Sequence, residues 1–252
     1  MCSAMGTGTS LGTRNRRYLY LQAMGIQAWE LRRPQTEAHA VGHQVVRTQE
    51  TDNPSIVEAP EGPAVVDLDW TPLQTAVETC TLCDLHSSRT RSVFGVGNRN
   101  ADWLLIGEAP GRDEDQQGEP FVGRAGQLLN AMLLAIGLQR EQVYIANILK
   151  CRPPNNRDPK PEEVVCCEPY LMRQIELIRP RLILALGRIA AQNLLRTETA
   201  IGKLRGRVHQ FRDTGIPLIA TYHPAYLLRS PGEKRKSWQD LQLAVETLRE
   251  RA

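Results

Sequence analysis

The sequence predicts an α/β domain built on a mainly parallel sheet of four strands, with helices on both faces and an unstructured extension ahead of it. Three observations carry that prediction. From about Thr71 onward, short apolar runs of strand length alternate with segments of helical periodicity, the pattern of a parallel sheet with helical crossovers. The first 66 residues show no such alternation. A chain of 252 residues, 41% hydrophobic and 23% charged, is large enough for one full core beside such an appendage.

The expected division is therefore residues 1–66 as a flexible extension and 67–252 as the folded domain. The extension is rich in Gly, Thr, Gln and Pro, and its stretch TQETDNPSIVEAPEGPA reads as a linker. Within it, residues 16–33 place Leu21, Met24 and Trp29 at loosely helical spacing between Arg pairs. A transient helix on a free tail and a short amphipathic helix for a partner or DNA both fit that spacing. The first residues lack an apolar core with a small-residue cleavage site. No run approaches the roughly 18 apolar residues of a membrane span. The expected location is the cytoplasm, where six cysteines favour metal or cluster ligation over disulfides. A net charge of +3 is too small to identify a polyanionic partner, so local basic patches must carry that argument.

The four strands are read at DWLLIG (102–107), QVYIANIL (142–149), RLILALG (181–187) and IPLIATY (216–222). Between them, GRAGQLLNAMLLAIG places Leu128, Leu129, Met132, Leu133 and Ile136 on one helical face and ends at Gly137, a C-cap signal. PYLMRQIELIRP does the same with Leu171, Ile175 and Ile178, and SWQDLQLAVETLRERA closes the chain as an amphipathic helix.

Ligands of such folds gather at the carboxyl ends of the strands. After the first strand, GEAPGRDEDQQGEPFVGRAG (107–126) is rich in glycine and acids and leads into a helix N-terminus. It lacks the Gly-Lys-Ser/Thr ending of a nucleotide-binding loop, which disfavours a nucleotide-dependent enzyme. Phe121, in an otherwise polar loop, either stacks on a base or plugs the core. Asn147 lies near the end of the second strand, with Lys150, Arg152 and Arg157 close behind, and presents a donor and an acceptor side by side, as a nucleobase edge requires. His223 follows the fourth strand, ahead of Arg229, Lys234, Arg235 and Lys236. A basic run is often only a solvated surface, but after a histidine at a strand end it reads better as a phosphate clamp. Cys80 and Cys83 form a C-x2-C, and Cys151 with one of Cys166 and Cys167 could complete four ligands. On spacing alone, zinc and an iron-sulfur cluster both remain open. Cys2 lies in the tail as a bystander.

Taken together, GEAPGRDEDQQGEPFVGRAG, NILKCRPPNNRDP, CCEPYL and HPAYLLR resemble the family 4 uracil-DNA glycosylases, in that family's order and approximate spacing, from about Leu73 onward. The resemblance implies a three-layer α/β/α sandwich, a structural [4Fe-4S] cluster, and hydrolysis of the N-glycosidic bond of deoxyuridine in single- and double-stranded DNA. It implies that flipped uracil stacks on Phe121, that Asn147 reads N3 and O4, and that His223 donates toward O2. Where the better-known uracil glycosylases carry GQDPYH with a catalytic aspartate, this chain reads GEAPGR. Ala109 stands in the aspartate's place, so a general base is excluded there, and Glu108 joins the pocket through its backbone or side chain. Glu114 is expected to wall the site where thymine's methyl would sit. The cluster ligands are expected to be Cys80, Cys83, Cys151 and Cys167. Successive helical residues point about 100° apart, and the family's Cys-x-Pro-Tyr/Phe-Leu pattern selects Cys167 over Cys166. A basic Arg-Arg-Ile-His insertion typical of a covalently trapped sibling subfamily is absent. The chain is expected to act as a monomer at the nucleoid, with the extension available to a repair or replication partner. The alternative is a non-catalytic DNA-binding protein of the same fold bearing a cluster or zinc.

Overall fold

The computed structural model describes residues 65–251. The tail helix, the linker and Cys2 discussed above lie outside the described residues. At the centre is a six-stranded sheet of order β1-β3-β2-β4-β6-β5. Its strands are β1 (Val96–Gly97), β2 (Trp103–Gly107), β3 (Tyr144–Asn147), β4 (Leu182–Leu186), β5 (Val208–Phe211) and β6 (Ile216–Thr221). The four parallel strands β3, β2, β4 and β6 are the four apolar runs of the sequence. The sheet has six strands rather than four because β1 and β5 add antiparallel edges. Both edges escape a sequence reading for physical reasons: β1 is two residues long, and β5 is largely solvent-facing.

The parallel strands are buried on both faces, which is why they read as continuous apolar runs rather than alternating ones. Leu104 and Ile106 of β2 point into one core with Ile183 and Ala185 of β4, Leu171 and Ile175 of the helix Pro161–Ile178, and Ala190 and Leu194 of the helix Arg188–Leu195. Trp103 and Leu105 point into the other, with Leu129 and Leu133 of the helix Arg124–Ala135 and Leu241 and Ala244 of the helix Lys234–Arg249. Helix, sheet and helix thus form three layers.

A third apolar cluster lies beyond the sheet. There Leu73 and Val77 of the helix Trp70–Glu78 pack on Phe94 and Tyr170, with Val65 and Leu68 against them. The Asp69 carboxylate caps that helix by accepting from the Trp70 N–H at 2.7 Å. The polar stretch after β2 holds one element absent from the sequence reading, a short helix at Arg112–Gln117. It has no apolar stripe to announce it, and Glu114 caps it from within by accepting from the Gly111 N–H. Among the described residues no helix is long and apolar enough to cross a membrane.

Candidate active site

Parallel pairing brings Gly107 level with Asn147 at the carboxyl ends of β2 and β3, and Leu186 level with Thr221 at those of β4 and β6. Above these ends opens a cleft of about 410 Å³ lined by Glu108, Ala109, Glu114, Phe121, Asn147, His223 and Arg229. The cleft's floor is set by what glycine leaves out. A Cβ at Gly107 would collide with Asn147 Oδ1 and come within 2.7 Å of Phe121 Cζ. A Cβ at Gly187 would stand 2.8 Å from that of His223.

Asn147 is buried, and its Oδ1 has no hydrogen-bond partner among the described residues. Such an acceptor is costly unless a ligand supplies the donor. Phe121 is also buried, with its ring centroid 5.4 Å from that of His223 at an interplanar angle of 30°. Its backbone sits in the left-handed region at φ 55°, a strained choice for an aromatic residue. The Arg140 guanidinium holds it there, donating to the carbonyls of Pro120 at 2.5 Å and Phe121 at 3.3 Å. Gly126 lets the next helix approach, since a Cβ there would run into the Phe121 carbonyl.

His223 caps the helix Pro224–Arg229, its Nδ1 accepting from the Ala225 N–H at 3.1 Å. The neutral ring therefore carries its proton on Nε2. Burial, helped by the Arg229 charge, lowers its pKa to about 4, so the neutral donor form prevails at physiological pH. Glu108 shifts the opposite way. Burial and the Asp158 carboxylate raise it to about 7, against the opposing charge of Arg188. Its carbonyl already accepts from the Leu149 N–H. Glu114 lines the cleft but spends both oxygens on backbone: Oε1 accepts from Val122 and Gly123, and Oε2 from Gly111.

Sequence reasoning missed several contributors. Asn156, Asp158 and Tyr226 also line the cleft, and Arg188 reaches from the start of its helix to bind Asp158 at 2.6 Å. Gly107 and Gly187, each closing an apolar run, were the one local signal for a floor without side chains. Arg140 lies far from Phe121 in sequence and had none. Of the basic candidates, Arg229 lines the cleft, whereas Lys234, Arg235 and Lys236 are exposed at the start of the last helix. Lys236 is bound to Glu233 at 2.8 Å.

Beside the cleft, Cys80, Cys83, Cys151, Cys166 and Cys167 line a second, narrow cavity. Cys151 and Cys167 are buried and pack with Leu85 and Leu149, and Ala109 touches the same cluster. Arg89 donates to Cys151 Sγ at 3.1 Å, and the Lys150 N–H donates to Cys167 Sγ at 3.3 Å. Cys166 differs: it is half-buried and its S–H donates to the Leu82 carbonyl at 3.2 Å. Burial pushes the Cys167 thiol up to about 12, so a cationic centre is needed to displace its proton. Among the described residues no three His, Cys, Asp or Glu side chains are gathered closely enough to hold a single ion.

Residues 94–242 match the uracil DNA glycosylase superfamily. A type-4 uracil-DNA glycosylase of Archaeoglobus fulgidus is 55% identical over 161 residues, covering 62% of this chain and 81% of the relative. Those of Pyrobaculum aerophilum and Saccharolobus solfataricus are 43% and 44% identical, covering 69% and 68% of this chain and 92% and 83% of the relatives.

Proposed function

The chain belongs to the type-4 uracil-DNA glycosylases, and we propose that it releases uracil from single- and double-stranded DNA, leaving an abasic site, through the groups that face this cleft. The observation that carries the reading is the unpartnered Oδ1 of Asn147, buried between Phe121 and the strand ends. Uracil, flipped out of the stack, supplies the missing donor from N3 and accepts from the Asn147 amide at O4. Cytosine presents an acceptor at N3 and an amino group at C4, so both bonds would be mismatched, and such mismatches discriminate strongly.

Phe121 gives the base a stacking face. Cleavage leaves negative charge on the departing uracil, and the Nε2–H of neutral His223 donates to O2 as that charge grows. The bond is therefore stronger in the transition state than in the ground state. With Ala109 where an aspartate would otherwise face the sugar, and with Glu114 bound to backbone N–H groups and Asp158 to Arg188, Glu108 is the cleft carboxyl group that would orient or deprotonate the attacking water. Glu114 fixes the loop that walls the pocket on the side of uracil's C5. Arg229 at the cleft and the exposed Lys234 and Arg235 would meet phosphates.

The thiol wall fits a [4Fe-4S] cluster held by Cys80, Cys83, Cys151 and Cys167. A cluster takes one thiolate per iron and spreads its ligands more widely than a single ion does. The N–H donors on Cys151 and Cys167 suit thiolate ligands. When bound, the cluster supplies a structural cross-link between the loop after β3 and the helix Pro161–Ile178. The test is release of free uracil from a labelled oligonucleotide. Wild-type protein is expected to turn over, and Asn147→Ala to lose at least about a hundredfold in rate while still binding DNA. Unchanged turnover in Asn147→Ala would remove that residue from the pocket, and an intact oligonucleotide with excess wild-type protein would leave only a DNA-binding role.

A further inference from the structure

The side chain of Lys150 is almost wholly buried, 1% exposed, and neither the cleft chemistry nor the cysteine ligation uses it. A buried ammonium is costly unless its donors are satisfied. Here Nζ donates to Gln174 Oε1 at 2.6 Å and to the Asn147 carbonyl at 3.1 Å. Gln174 is itself fixed, since its amide donates to the Phe94 carbonyl at 2.9 Å and to the Tyr144 hydroxyl at 3.4 Å. At the other end of the same residue, the peptide N–H donates to Cys167 Sγ. An apolar side chain would fill the space of the Lys150 stem, but it would leave the Asn147 carbonyl and the Gln174 oxygen without this donor.

We propose that Lys150 is a positioning residue that couples the thiol wall to uracil recognition. Its main chain borders a cluster ligand, and its side chain clamps the backbone of the residue that reads the base. Asn147 has a short side chain, so a small rotation of its peptide plane swings the carboxamide away from the N3 and O4 positions. Lys150, itself held by Gln174, prevents that rotation by donating to the Asn147 carbonyl. The segment is pinned on its other side as well, because Ile148 and Leu149 donate to the carbonyls of Gly107 and Glu108. Disturbance of the cluster at Cys167 would thus reach the base-reading amide through one residue.

This inference rests on the reading of the cleft as a uracil site. Its test uses full-length, cluster-loaded protein and two variants, Lys150→Met and Gln174→Met. Three quantities are measured: inhibition by free uracil, iron per chain, and affinity for undamaged DNA. Gln174→Met touches no cysteine and is expected to keep its iron and its DNA affinity while binding free uracil about tenfold more weakly. Lys150→Met is expected to weaken uracil binding at least as much and to lose iron faster to a chelator. If both variants bind uracil as wild type does, the proposal is overturned. The same holds if Lys150→Met sheds iron but Gln174→Met binds uracil normally, because Lys150 then serves the cluster alone. Wild-type protein that neither binds nor releases uracil would sink the functional reading itself, and this coupling with it.

Discussion

Burial acts in opposite senses on two titratable side chains that line the cleft, and the consequence can be measured. It lowers His223 to about 4, so this ring stays neutral across the working range and contributes no titration there. It raises Glu108 to about 7, with Asp158 adding to the effect, so this carboxyl group changes state near neutrality. A base acts only when deprotonated, so the rate of uracil release should rise with pH through about 7 and then level. In Glu108→Gln that limb should vanish and the plateau fall by about a hundredfold or more. Single-turnover rates between roughly pH 5 and 9 check this, and a limb that survives the substitution assigns the ionisation to another group. At this scale the sequence was informative where a residue's own chemistry announces its role. Asn147 and His223 are distinctive types at or just past strand ends, and Phe121 is an aromatic in a polar loop. Arg140, Arg188 and Gln174 reach residues distant in sequence, and nothing local marks them; Lys150 stands out beside Asn147, but its burial does not.

Among the elements, the helix Pro161–Ile178 sets two adjacent cysteines in different surroundings. Residues one step apart on a helix point about 100° apart, and the two thiols differ in burial and in hydrogen bonding. Cys167 is buried and receives the Lys150 N–H, whereas Cys166 is half-buried and hydrogen-bonded through its own proton to Leu82, although both line the cavity. Cys167→Ala should therefore lose the iron and its visible absorption, and Cys166→Ala should retain about the full complement of iron per chain. Loss of iron from Cys166→Ala alone would exchange their roles. The same scale shows which elements a sequence can announce. The four parallel strands are legible because burial on both faces demands continuous apolar runs. The edges β1 and β5 and the short helix Arg112–Gln117 are not, since short, exposed or polar segments owe their form to neighbours and caps rather than to periodicity.

For the whole molecule, the open question is how much of the chain the reaction needs. The expected boundary between residues 66 and 67 falls inside the 3-10 turn Val65–Asp67, and the residues around it belong to the domain's packing. Val65 and Leu68 lie against the cluster of Leu73, Val77, Phe94 and Tyr170, and the Leu68 carbonyl accepts from Arg173 at 2.7 Å. That cluster supports the helix Trp70–Glu78, which leads directly to Cys80. A cut placed after residue 66 would strip Val65 from this support, while a protein beginning at Val65 keeps it. We therefore expect the protein beginning at Val65 to retain its iron and to release uracil within about twofold of the full-length rate. Both are checked by single-turnover assays and iron analysis, alongside the salt dependence of DNA binding. If this protein folds and holds its cluster but turns over poorly, and if its binding depends less steeply on salt, then residues 1–64 contribute phosphate contacts. The Arg pairs of residues 16–33 would be the first to substitute in locating them.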